Sequence, residues 1–141
     1  MTSRIILSTL LLAVSVMGQD PSQYKTGGFF NGRFWQICNN DAKTMYILGL
    51  EEGQLIAAVV ITHDDFKKVP SELFNHEARG FASTDFVKEV DAFYKEQANI
   101  LIPMFRSYEY CNKKFKGASE SELAALLKTF RASALQEKQS K

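Results

Sequence analysis

Five residues close together in the chain have side chains that bind metals or move protons: His63, Asp64, Asp65, His76 and Glu77. Imidazole nitrogens and carboxylate oxygens suit zinc and other divalent cations. His63, Asp65, His76 and Glu77 are therefore the donors a metal would take if the intervening chain folded back on itself. The His76-Glu77 pair lacks a second histidine four positions after the first, so it is no zinc-protease helix, and the chain holds no nucleophile elbow or phosphate-cradling glycine loop. The spacing is equally that of solvated loop residues, and on that reading no catalytic residue, metal or cofactor is expected. Glu109 lies among Tyr108, Tyr110 and Cys111, where one carboxylate serves best as a structural hydrogen-bond partner. Glu51, Glu52, Asp85, Glu89, Glu96 and Glu120 are placed on outward helix faces or at caps. Acid–base catalysis needs titratable groups held together in a cleft, and these do not meet that requirement.

A second constellation is apolar. Phe29, Phe30, Phe34 and Trp35 fall within seven positions. Aromatic side chains dominate binding energy when exposed and dominate cores when buried. Phe34 and Trp35 sit at helical spacing and are expected inside, whereas Phe29 and Phe30 precede the first helix. The interface candidates are accordingly Phe29 and Phe30, with Trp35 as the third member if the cluster faces outward. The two cysteines, Cys38 and Cys111, are a disulfide candidate in an exported chain. Such a bond would close a loop of about 70 residues and contribute about 2–4 kcal/mol. The competing expectation is a pair of buried free thiols on helix faces.

The elements that must position these groups are helical. The organising stretch is 41–61, DAKTMYILGLEEGQLIAAVVI, where Ala42, Met45, Tyr46, Gly49, Leu50, Gly53, Ala57 and Val60 recur at steps of three and four. Gly49 and Gly53 cost about 1 kcal/mol each against alanine in a helix interior, which predicts a close crossing by another helix as the compensation. A membrane dimer face would use the same glycine spacing, but Glu51, Glu52 and Gln54 interrupt the apolar run. Asn31 is expected to cap a short helix ending near Cys38, and one of Asn39, Asn40 and Asp41 to cap the long one. A loop over 62–83 follows, long enough to rank as a candidate site on length alone. Thr84 is expected to cap the next helix, with Val87, Val90, Phe93, Tyr94 and Gln97 inward. A further helix from about Ile100 carries Pro103 in its first turn and Leu101, Met104, Phe105, Tyr108, Cys111 and Phe115 on its stripe, ending at Gly117. Ser119 and Glu122 form a capping box that opens the last helix. The expected fold is all-α: one domain over 29–136, of four to five helices packed around the 41–61 helix, with a frayed tail over 137–141.

At the start, Arg4 precedes the apolar run Ile5 to Val16, and Val16-Met17-Gly18 offers a cleavage site, so 1–18 reads as a secretory signal and 19–28 as a flexible arm. About 120 residues would remain, enough for one core. Lys+Arg number 17 and Asp+Glu 16, and loss of Arg4 brings the two into balance. No charge excess draws the mature chain to nucleic acid or anionic lipid. The expected address is periplasmic or secreted, with no membrane association after cleavage.

The order of elements over about 31–117 resembles the small exported immunity proteins of the Tai type, which neutralise amidase effectors of the type VI secretion system. The resemblance is carried by a short first helix with Cys38, by Tyr46-Ile47-Leu48-Gly49 in the second helix, by Thr84-Asp85-Phe86-Val87 after a loop, and by a later helix bearing Cys111. It implies a helical, exported, non-enzymatic protein that binds another protein as an inhibitor or immunity factor. The same architecture is similar to small periplasmic acid-stress chaperones, which implies an envelope stress or structural role as the alternative. A metal protein or enzyme using 63–77 is the third expectation.

Overall fold

The structure is a computed structural model and describes residues 20–63, 65–69 and 82–139. The expected signal over 1–18 lies outside the described residues, as does most of the expected loop. Among the described residues the fold has five α-helices and one two-stranded hairpin: β1 Lys25–Thr26, β2 Phe29–Phe30, α1 Gly32–Ile37, α2 Asn40–Ile61, α3 Ser83–Lys95, α4 Met104–Phe115 and α5 Glu120–Gln139. The all-α class and a helix over the 41–61 stretch are as expected.

The stretch expected as a loose arm instead has local order. Asp20 caps a 3-10 turn over Pro21–Tyr24, its carboxylate accepting from the Ser22 amide at 2.9 Å. Lys25 then pairs with Phe30 and Thr26 with Phe29 in antiparallel register. Gly27 and Gly28 have φ of 58° and 87°, the left-handed conformation that a two-residue hairpin turn demands and that glycine supplies without strain. The glycine pair is the turn of the hairpin.

Side-chain caps set most helix starts. The Asn31 carboxamide oxygen accepts from the Arg33 amide at 3.0 Å, and that of Asn39 from the Ala42 amide at 2.8 Å. The Ser119–Glu122 box forms as expected, with the Ser119 amide donating to the Glu122 carboxylate at 2.8 Å. Thr84 is not the cap of α3. Ala82 holds that position, and Asp85 accepts from its amide at 3.3 Å, placing a carboxylate at the positive helix end. Pro103 caps α4 rather than lying inside it. Gly117, at φ 80°, closes α4 in a Schellman turn, the Gly117 and Ala118 amides donating to the carbonyls of Lys114 and Lys113.

The core is centred on α3, which packs against both α2 and α4, while α5 lies on α4. Its most buried side chains are Trp35, Ile47, Phe86, Val90, Tyr94, Ile102, Met104 and Cys111. Phe86 stacks on Tyr108 at 4.8 Å and meets Phe115 edge-on at 4.8 Å. Gly32 lets α1 approach, since a Cβ there would overlap the Tyr94 ring and come within 3.0 Å of the Ile100 carbonyl. The Tyr94 hydroxyl donates to the Ile102 carbonyl at 2.9 Å, so this buried polar tip is satisfied.

Among the described residues no helix makes the crossing expected at Gly49 and Gly53. A Cβ on either glycine would meet no atom of the described residues within 4 Å, and both are exposed. The α2 helix meets the core through its other side, where Ile47 and Glu51 are buried. The disulfide is also a correction: Cys38 and Cys111 are both free thiols. Cys111 lies wholly inside, facing the charges of Glu89 and Lys114, whereas Cys38 ends α1 beside Lys43, at the edge of the fold.

Candidate functional site

Of the groups singled out for chemistry, His63 and Asp65 fall among the described residues. His63 is exposed just past α2, at φ 53°, and Asp65 spends its carboxylate on Lys68 at 3.0 Å and on the Lys67 amide at 3.3 Å. Asp64, His76 and Glu77 lie outside the described residues. Among the described residues no three His, Cys, Asp or Glu side chains are grouped to hold a metal ion.

The polar cluster that does form was not anticipated. Asp91 Oδ1 accepts from Trp35 Nε1 at 2.7 Å and from Lys43 Nζ at 2.7 Å, and the Lys43 ammonium stands 5.3 Å from the centre of the Trp35 ring. Trp35 is 1% exposed and the Lys43 side chain 12%, so a buried indole N–H and a nearly buried cation share one carboxylate. This arrangement ties α1, α2 and α3 together and is structural. The available signal was Asp91 lying four residues after Val87 and three before Tyr94, on the inward stripe of α3. A second buried polar joint follows the same logic: Asn99 donates to the Phe93 carbonyl at 2.8 Å and accepts from Arg131 Nε at 2.8 Å, linking the segment between α3 and α4 to α5.

Both thiols are held protonated. Burial pushes the Cys111 thiol up to about 12, with the Glu89 carboxylate adding to the shift, and burial also raises Cys38 against the pull of Lys43. A thiolate nucleophile requires the opposite environment.

Of the aromatic constellation, Phe34, expected inside, is only partly buried against the core. Trp35 is core and leaves the interface set, while Phe29 and Phe30 are 58% and 39% exposed on β2. Their rings are oriented by neighbours. Phe29 meets Phe105 edge-on at 4.9 Å, and Phe30 stacks on Phe34 at 4.0 Å with the Lys25 ammonium 5.2 Å above it. Phe29 stands at one wall of a groove of about 450 Å³ between the hairpin, α4 and α5. Phe105, Leu126 and Phe130 provide its apolar lining, and Arg106 crosses it, 5.0 Å from the Phe105 ring and 5.1 Å from that of Phe130. Glu109 holds the Arg106 guanidinium at 2.8 Å, the structural partnership expected of it, though with an arginine rather than a tyrosine. Aromatic walls with a few fixed polar groups bind by shape and stacking.

The other exposed apolar surface is on α2, where Met45, Ile56, Val60 and Ile61 stand out to solvent beside the two glycines. By length and composition α2 is long and apolar enough to cross a membrane, with a mean hydropathy of 1.4 over an 18-residue window of which 11% is buried. Glu51 and Glu52 lie at its middle. No family model matches the chain, and neither a curated protein nor a solved structure matches it.

Proposed function

We propose that this is an exported, non-enzymatic helical domain that binds another protein through the Phe29–Phe30 hairpin and the groove beneath it, acting as an inhibitor or immunity factor. One observation carries the reading: two adjacent phenylalanines are left out of the core on a turn-pinned hairpin, and one of them, Phe29, walls an aromatic groove. Burying such a side chain is worth about 1.5–3 kcal/mol, so leaving two outside forgoes stability that a partner can recover. The rings are already oriented by Phe105 and Phe34, which lowers the ordering cost of binding.

The test is native capture from an envelope extract of the source cells, with the full chain as bait and Phe29→Ala/Phe30→Ala as control. The expected result is one stoichiometric partner, lost in the control while the unfolding midpoint changes little, because both rings are substantially exposed. Recovery of no partner at neutral or acidic pH would overturn the reading.

A second reading, an envelope stress protein, draws on the exposed apolar side of α2. It expects acid to increase the binding of an apolar-surface dye together with suppression of client aggregation. A flat dye response between neutral and acidic pH would remove it.

A further inference from the structure

A second groove, of about 350 Å³, adjoins the first. Ser22, Lys25, Thr26, Arg33 and Lys138 line it, and Glu137 lines both grooves and marks where they meet. The turn of the hairpin fits against that junction, for a Cβ at Gly27 would overlap the Glu137 carboxylate. The floor is rigid: Thr26 is buried and its hydroxyl oxygen accepts from Asn31, which also donates to the Gln23 carbonyl.

The charge here is uneven. Lys25, Arg33 and Lys138 stand against the single carboxylate of Glu137, in a chain whose formal charge is only +1. Among the described residues none of these three cations takes part in an ion pair, and the Lys25 ammonium rests over the Phe30 ring. The two grooves together therefore offer a cationic half and an aromatic half on either side of one carboxylate.

Resting on the protein-binding reading above, we propose that this double groove takes one extended acidic segment of the partner. The segment's carboxylates face Lys25, Arg33 and Lys138, and one aromatic or long aliphatic residue lies against Phe29 and Phe105. Charge complementarity identifies the occupant. Each groove has room for a few side chains and not for a folded domain. Glu137 stands at the junction and disfavours a polyphosphate chain, whose charge would have to run continuously past it. A polypeptide tolerates that junction, because it can set an uncharged residue and a backbone N–H donor there, whereas a polyphosphate carries charge at every unit.

The test selects a displayed library of short random peptides on the full protein, alongside Arg33→Glu/Lys138→Glu, with Arg33→Gln/Lys138→Gln as the milder variant should charge reversal disturb folding. The expected result is recovered peptides with an excess of Asp and Glu around one large apolar residue. They should bind the charge-reversed protein roughly tenfold more weakly and lose affinity as salt screens the contact. Peptides without an acidic excess, acidic peptides indifferent to both variants, or no enrichment at all would overturn the proposal. So would tighter binding to phosphatidylglycerol vesicles than to any recovered peptide. Partner capture that depends on Phe29 and Phe30 but ignores Arg33 and Lys138 would leave the protein-binding reading standing and remove only the acidic occupant.

Discussion

Asp91 receives hydrogen bonds from a tryptophan of α1 and a lysine of α2 while belonging to α3. Removing it leaves two donors stranded, one of them the Lys43 ammonium in a site where its side chain keeps only 12% exposure. An uncompensated cation costs more than the lost bond is worth. Because Asp91 itself is partly open to water, some of that cost is screened. Asp91→Ala is expected to destabilise by about 2 kcal/mol, and the added substitution Lys43→Met should recover a good part of it by removing the stranded charge. Equilibrium denaturation of the two variants checks this, and equal losses in both would show that the pair contributes nothing specific. The position was legible as a face and not as a partner. The inward set read from the sequence omitted Asp91, whose distance from Val87 and Tyr94 is that of the inner stripe, and nothing local says that a tryptophan 56 positions away brings its N–H there. Caps are the contrary case: Asn31, Asn39 and Ser119 act on amides two or three residues ahead, so their roles can be read from neighbours alone.

Among the elements, helices with a strong amphipathic stripe were readable and the exceptions have physical reasons. The hairpin went unread because each strand is two residues long, shorter than any alternation that periodicity can register. The α2 helix was readable as a helix but not in its orientation, since apolar residues occupy most of its circumference and the stripe chosen by spacing is the open one. The glycines carry a consequence here. With no described residue within 4 Å of a Cβ at Gly49 or Gly53, a methyl group meets no overlap among them and restores the helix propensity that glycine forfeits. Gly49→Ala and Gly53→Ala are each expected to raise stability by about 0.5–1 kcal/mol, measured as a shift of the denaturant midpoint at unchanged slope. A loss of stability at either position would mean that a close neighbour covers that side of α2 in solution.

For the molecule as a whole, free thiols and buried phenols define how stability depends on pH. Desolvation raises Cys111 from 9.0 to about 12 and Tyr46 from 10.0 to about 12, and it lifts Tyr94 well above its ordinary value. In each case the native state keeps a proton that the unfolded chain releases at lower pH. Below pH 9 both states hold these protons and the groups leave stability unchanged with pH. Between pH 9 and about 12 the unfolded state binds fewer protons, so stability falls as pH rises. Denaturant midpoints taken at steps from neutral to strongly alkaline pH should therefore be level and then decline, with Cys111 acting first because its unfolded value is lowest. Cys111→Ala should flatten the first part of the decline while lowering stability at neutral pH, since a buried side chain has been shortened. The same series tests the absence of the disulfide. A Cys38–Cys111 bond would leave no thiol to titrate, the early decline would be missing in the parent chain, and reductant would lower its midpoint by removing a closed loop of about 70 residues. With two free thiols, reductant leaves the midpoint where it was and the decline begins near pH 9.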